Sequence, residues 1–303
     1  MPMGRIPIGT PEKLMRVRRA VFTDGCYPKG RSARTAKEAS MTEWAGHPGA
    51  DGFVGVFDSG VGGVSVLQHL VRELPGEEFH YFGDSAHAPY GAKTADEVQS
   101  LSHEIARRML ADGAKALVIA CNTATSAAAP YLRAHYPQIP IIGVEPALKP
   151  AVLAGGSGKV LVMATEVTLA LDKFHRLEEQ WAQDAQVVTV ACGGLVECVE
   201  RGDLDDPALH EVLERLVGRY RGEVDRVVLG CTHYPFARKQ IAEVLGNVRF
   251  FDGGEGTARQ LRRMLAAHDL LREGHEGSVS FASSINTPEE MALYQRFFKL
   301  PLV

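Results

Sequence analysis

From residue 53 onward the chain alternates short, almost unbroken apolar runs with longer stretches in which apolar residues recur every three or four positions. The runs are Phe53–Phe57, Phe79–Phe82, Ala116–Ala120, Ile139–Val144, Val160–Met163, Val187–Val190, Arg226–Leu229 and Val248–Phe251. They lack a polar/apolar alternation, so they predict strands covered on both faces, the condition of a parallel sheet. Several helix starts are equally legible. Thr94-Ala95-Asp96-Glu97 has the form of a capping box, and Val98, Leu101, Ile105 and Met109 follow on one helical face. Asp206-Pro207 and Thr287-Pro288 each set a capping side chain before a proline suited to the first helical position. Strands and helices in alternation predict an α/β fold.

A faint repeat sharpens that expectation. Asp58 and Thr165 lie 107 residues apart, Asp84 and Cys192 108, and Cys121 and Cys231 110. The third pair is the most alike: an apolar strand, a small residue, a cysteine, then Asn122-Thr123 in one copy and Thr232-His233 in the other. Such a repeat predicts two doubly wound parallel-sheet halves facing each other, with their strand ends at a shared cleft where ligands of open α/β sheets bind.

Composition narrows the class. The 303 residues are 45% hydrophobic and 23% charged, enough for one large domain or two of roughly 100–150 residues. No apolar run reaches the roughly 18 residues of a membrane span, and the start lacks the apolar core of a secretion signal. Five cysteines, at 26, 121, 192, 198 and 231, are an odd number; they predict free thiols in a reducing cytoplasm. Net charge is −4, yet residues 1–40 hold nine Lys/Arg against three Asp/Glu. Their poor apolar periodicity and many breakers predict a disordered leader, or a native start at Met41, rather than an arm for an acidic partner. No basic patch interleaved with aromatics follows, so neither nucleic acid nor membrane is expected as a partner.

A buried cysteine is most often a small apolar filler, and Cys192 and Cys198 read that way. Cys121 and Cys231 differ, because each sits at a strand-to-helix turn and leads a polar cluster, where free N–H groups favour a thiolate. Two matched thiols, one per half, could take a proton from one face of a small molecule and return one to the other. Asp58-Ser59-Gly60-Val61-Gly62-Gly63 is either an anion nest or a tight turn; it is neither a dinucleotide fingerprint nor a P-loop. Pro89-Tyr90-Gly91 is a turn by composition, with ligand contact as the alternative. Metal is not expected, since Cys-x-His is a poor zinc spacing and no C-x₂-C or H-E-x-x-H occurs. A hydrolase with Cys231 as nucleophile and His233 as base stays open but leaves Cys121 idle. No lysine stands in a recognisable pyridoxal setting.

Taken in order, Val56-Phe57-Asp58-Ser59-Gly60-Val61-Gly62-Gly63, Tyr81-Phe82-Gly83-Asp84 with Pro89-Tyr90-Gly91, Ala120-Cys121-Asn122-Thr123-Ala124 and Leu229-Gly230-Cys231-Thr232-His233-Tyr234-Pro235 resemble the signature set of bacterial glutamate racemases. The likeness runs from about Val54 to about Leu265. It implies two α/β domains related by a pseudo-twofold axis, an active site in the cleft between them, no cofactor, and production of D-glutamate for peptidoglycan. Residue by residue, it implies Cys121 and Cys231 as the acid/base pair, the first acting on the D- and the second on the L-enantiomer. Asp58 would support the first thiol and His233 the second, with Glu200, rather than Glu197, as the acidic helper. Ser59, Tyr90, Gly91, Asn122, Thr123, Thr168 and Thr232, beside Asp58 and His233, would hold the substrate.

The expected layout is a basic extension over 1–52, a first domain of 53–146 plus 250–303, and a second of 147–249. There are departures. Gly193-Gly194 follows Cys192 where members often carry proline and large apolar residues, and Val167 stands where glycine is frequent. Residues 1–50 resemble the long N-termini of proteobacterial members, some of which a peptidoglycan precursor activates. An aspartate racemase or sibling isomerase is the enzymatic alternative. A gyrase-inhibiting binding protein is the alternative from another class, though binding alone needs neither thiol. A homodimer is compatible with either.

Overall fold

The computed structural model describes residues 17–19, 49–170, 172–181, 183–272 and 274–301. Its strands are β1 (Val17–Arg19), β2 (Phe53–Asp58), β3 (Glu78–Gly83), β4 (Ala114–Ile119), β5 (Ile141–Gly143), β6 (Lys159–Ala164), β7 (Val187–Ala191), β8 (Val224–Leu229), β9 (Arg249–Asp252) and β10 (Ser278–Ser283). The helices in the first half are α1 (Val64–Glu73), α2 (Ala95–Ala111), α3 (Asn122–His135), α4 (Leu148–Leu153), α5 (Glu166–Ala170) and α6 (Asp172–Trp181). They are followed by α7 (Leu195–Glu200), α8 (Pro207–Val217), α9 (Arg238–Leu245), α10 (Gly254–Ala267) and α11 (Pro288–Lys299).

The strands form two parallel sheets, ordered β1-β10-β3-β2-β4-β5 and β7-β6-β8-β9. The run β3-β2-β4-β5 and the whole second sheet share one order, and the likeness reaches single residues. The register slips once between β2 and β4, at Phe53/Val54, and once between β6 and β8, at Lys159/Val160. Asp84 N–H donates to the Asp58 carbonyl, and Cys192 N–H to the Ala164 carbonyl, both at 2.9 Å. The halves therefore repeat in backbone hydrogen bonding, with Ala164 rather than Thr165 answering Asp58, and the repeat brings both strand-end sets to one cleft.

The two sheets also share a core. Leu67, Tyr81 and Phe297 on the first-sheet side belong to one apolar cluster with Leu229, Tyr234 and Phe236 on the second, and the rings of Phe236 and Phe297 meet edge to face at 4.6 Å. The helix caps behave as their residues dictate. Thr94 and Glu97 make the reciprocal capping box of α2, and Asp206 and Thr287 cap α8 and α11 ahead of their prolines.

Three features differ from the expectation. β10 alternates serine with apolar residues and has no apolar run to announce it, yet it is buried, paired between β1 and β3 and packed against α11. β9 pairs with β8, so residue 250 falls inside a strand of the second sheet and the chain returns to the first only after Asp252. Finally, Val17–Arg19 of the extension forms a strand on β10, and Ala50 accepts a 2.7 Å bond from the buried Lys115 ammonium. Cys26 and Met41 lie outside the described residues. Among the described residues, no helix is long and apolar enough to cross a membrane.

Candidate active site

Four strand ends supply the site. β2 delivers Asp58 and Ser59, β4 delivers Cys121, β6 delivers Thr165, and β8 delivers Cys231, Thr232 and His233. A cavity of about 20 Å³ between the halves is lined by Ser59, Tyr90, Gly91, Cys121, Asn122 and Thr123 from one side. Thr165, Val196, Cys231, Thr232 and His233 line the other. That volume holds roughly one water, less than an amino acid needs. A larger hollow of about 740 Å³ lies beside the crossovers between the sheets but contains no cysteine; chemistry, not size, picks the site.

The two thiols sit in unlike surroundings. Cys121 caps α3, accepting the Ala124 N–H at 3.4 Å. A helix start should favour its thiolate, but burial, and next the negative charge of Asp58, push the thiol well above its usual range. Cys121 rests protonated. Asp58 is fully buried; desolvation raises its carboxyl, while the charge of His233 and the N–H groups of Ser59 and Gly63 pull the other way. Gly63 N–H reaches it at 2.5 Å and the Thr232 hydroxyl at 3.4 Å.

Cys231 does not open an α-helix. Tyr234–Ala237 winds as a 3-10 turn before α9 begins, so the groups that meet its sulfur are side chains. His233 Nδ1 lies 3.6 Å from the Cys231 sulfur, and Nε2 lies 2.7 Å from Glu200 Oε1. Burial opposes charge on the ring, but bonds to Cys231 and Glu200 outweigh it and hold His233 well above the ordinary histidine range. Burial likewise works against the Glu200 carboxylate, and the His233 bond overcomes it, so the group is held low. Glu197, three residues earlier, is exposed.

The glycines of the 58–63 turn serve close packing rather than an incoming anion. A Cβ on Gly60 would strike Glu200, one on Gly62 would strike His233, and one on Gly63 would meet Tyr81 and Asp58. The turn's N–H groups already serve the protein's own carboxylates: Val61 binds Glu200 at 3.2 Å and Gly63 binds Asp58.

Of the remaining expected residues, Ser59, Tyr90, Gly91, Asn122, Thr123 and Thr232 line the cavity. Tyr90 is locked by a 2.7 Å bond to the buried Asp84. The Asn122 side-chain oxygen is buried there without a hydrogen-bond partner. Thr168 does not itself line the cavity, though its hydroxyl lies 3.4 Å from that of Thr123. It is buried behind the wall, bonded to Thr165 at 2.9 Å, and Thr165 faces the cavity, where it meets Thr123 at 3.1 Å. The sequence repeat pairs Thr165 with Asp58, but in the structure Ala164 takes that position and Thr165 follows it. Cys192 and Cys198 are buried outside the cavity. No group of three or more metal-ligating side chains occurs among the described residues.

Comparison with known proteins decides the ancestry. The pattern of the Asp/Glu/hydantoin racemase family matches residues 54–261. The chain belongs to that family. Within it, a glutamate racemase of Clostridium acetobutylicum is 45% identical over 249 residues, 82% of this chain and 97% of the relative. One of Pseudomonas aeruginosa is 47% identical over 240 residues, 78% of this chain and 90% of the relative. Among solved structures, the Escherichia coli glutamate racemase in complex with L-glutamate and the activator UDP-MurNAc-ala superposes with a TM-score of 0.70 at 30% identity, covering 82% of this chain and 96% of that one. The Thermus thermophilus enzyme gives 0.68 at 36% identity, covering 84% and 96%.

Proposed function

We propose that this chain is a glutamate racemase, an isomerase that inverts the α-carbon of glutamate with Cys121 and Cys231 on opposite faces and supplies D-glutamate for peptidoglycan in the cytoplasm. The observation that carries the reading is the pairing of a buried, Asp58-backed Cys121 with a Cys231–His233–Glu200 chain across one cavity. In the L-to-D direction the Cα–H bond breaks and the Cys231 sulfur takes the proton. The electron pair stays on the α-carbon and its carboxylate, and Cys121 gives its own proton to the other face. The reverse direction exchanges the roles. No external acid, base or electron carrier is needed to balance these steps. In the L-to-D direction the thiol of Cys121, held high by burial and Asp58, is the donor, and His233 lies 3.6 Å from the accepting Cys231 sulfur.

Substrate contacts follow from the wall. The unpartnered Asn122 oxygen suits the ammonium, and the hydroxyls of Ser59, Thr123, Thr165 and Thr232 suit the carboxylates. The deciding experiment is chiral chromatography of L-glutamate incubated with purified protein. Approach to an equal mixture is expected; inversion of aspartate with none of glutamate would move the assignment to the sibling activity. Adding UDP-MurNAc-ala to the same assay, with light scattering for the oligomeric state, tests activation of the kind named for the Escherichia coli relative.

A further inference from the structure

Tyr81, on β3, lines no part of the cavity, yet its hydroxyl is buried beside the catalytic loop. It donates at 2.6 Å to the carbonyl of Gly60. The N–H of the same peptide unit belongs to Val61 and donates at 3.2 Å to Glu200 Oε1. In a planar trans peptide these two groups point in opposite directions, so fixing one aims the other. Glu200 Oε1 is also the atom that binds His233 Nε2 at 2.7 Å. A single line of hydrogen bonds therefore runs from Tyr81, through one peptide of the first half, to the carboxylate, imidazole and thiol of the second half. Gly63 leaves room for the phenol, since a Cβ there would lie 2.9 Å from its oxygen. The ring is held independently, edge to face against Tyr294 at 5.6 Å and tilted against Phe281 at 5.9 Å.

We infer that Tyr81 is a positioning residue for the Cys231 half of the reaction, fixing the Gly60–Val61 peptide so that Glu200 holds the His233 imidazole against the thiol. Tyr81 touches neither substrate nor sulfur and acts only through that peptide. The inference rests on the racemase reading for its kinetic consequence, but not for its structural one. Because the hydroxyl alone makes the link, Tyr81→Phe keeps the packed ring and removes the tether.

The test has a substrate-free arm and a kinetic arm. Imidazole nitrogen NMR of the whole chain follows the titration of His233. Tyr81→Phe should lower its midpoint by about one pH unit, and para-aminophenylalanine at position 81, which restores a donor, should bring it back. In a Glu200→Gln background the same change should have no further effect, since both act through one carboxylate. Kinetically, an equilibrium constant of one forces kcat/KM to fall equally in both directions, so the asymmetry is read with deuterium at the α-carbon. In Tyr81→Phe the isotope effect should grow from the L-enantiomer, whose proton Cys231 takes, and shrink from the D-enantiomer. An unmoved His233 midpoint, or a shift undiminished by Glu200→Gln, overturns the inference. A wild-type chain inert toward glutamate defeats the racemase reading instead, and the NMR arm still decides whether Tyr81 holds the imidazole.

Discussion

Glu200 and His233 meet at 2.7 Å at the edge of the cleft, with the carboxylate held low and the imidazole held high. Each keeps the other charged against the pull of burial. The histidine is thus held toward its protonated form beside Cys231.

The pair makes stability depend on pH in a definite direction. A depressed carboxyl stabilises the fold above its unfolded value, about 4.3, and loses that contribution as pH falls through its folded value. A raised imidazole stabilises fully below about 6.5 and loses its share as pH rises through its folded value. The pair therefore contributes most between these two unfolded values. Glu200→Gln should lower the urea midpoint most near pH 5.5 and much less in alkaline solution. A loss independent of pH would show that the charge pairing is not what Glu200 supplies.

The matched thiols should be separable from the other cysteines by mutation. Cys121→Ala or Cys231→Ala should cut turnover by at least the roughly 10²–10⁴-fold attached to one positioned acid or base. Cys192→Ala, buried outside the cavity, should leave turnover within about twofold. Retention of a tenth of wild-type turnover by Cys121→Ala would contradict the two-thiol mechanism.

Much of this was legible because strands, turns and thiols carry strong local signals. The apolar runs mark eight of the strands, and the Cys121 and Cys231 clusters fall at strand ends as their matched strings required. What escaped had a three-dimensional cause. β10 hides behind alternating serines. The strand at Val17–Arg19 takes its place from the β10 edge rather than from its own pattern. The helix-start argument for a Cys121 thiolate is outweighed by burial beside Asp58, a fact no spacing records. Thr165 and Thr168 differ by one helical turn, and only the fold says which faces the cavity.

That last distinction is testable. Thr165→Val should raise KM for glutamate, because a hydroxyl on the wall is lost. Thr168→Val should act more weakly, and through Thr165. Steady-state kinetics on both variants separates them; a larger KM effect at Thr168 would place the substrate contact there.

Away from the site, Lys115 and Glu77 form a fully buried ion pair at 2.7 Å, and Lys115 also holds the Ala50 carbonyl. Removing one member strands the other charge without water. Lys115→Met should cost about 3–5 kcal/mol by denaturant unfolding. Replacing Glu77 as well, by an apolar residue of similar volume, should recover much of that loss. A Lys115→Met protein as stable as wild type would mean that the carboxylate finds another partner.

The central claim, two bases on opposite faces of one carbon, is tested most directly in D₂O. L-Glutamate is run to a few per cent conversion, and both enantiomers are analysed by mass spectrometry. The delivering thiol exchanges with solvent before the substrate arrives, and it never holds the proton that was removed. D-Glutamate should therefore carry deuterium at the α-carbon from the first turnovers, while recovered L-glutamate stays largely protiated. Substantial transfer of the original protium into D-glutamate would contradict the placement of Cys121 and Cys231 on opposite faces.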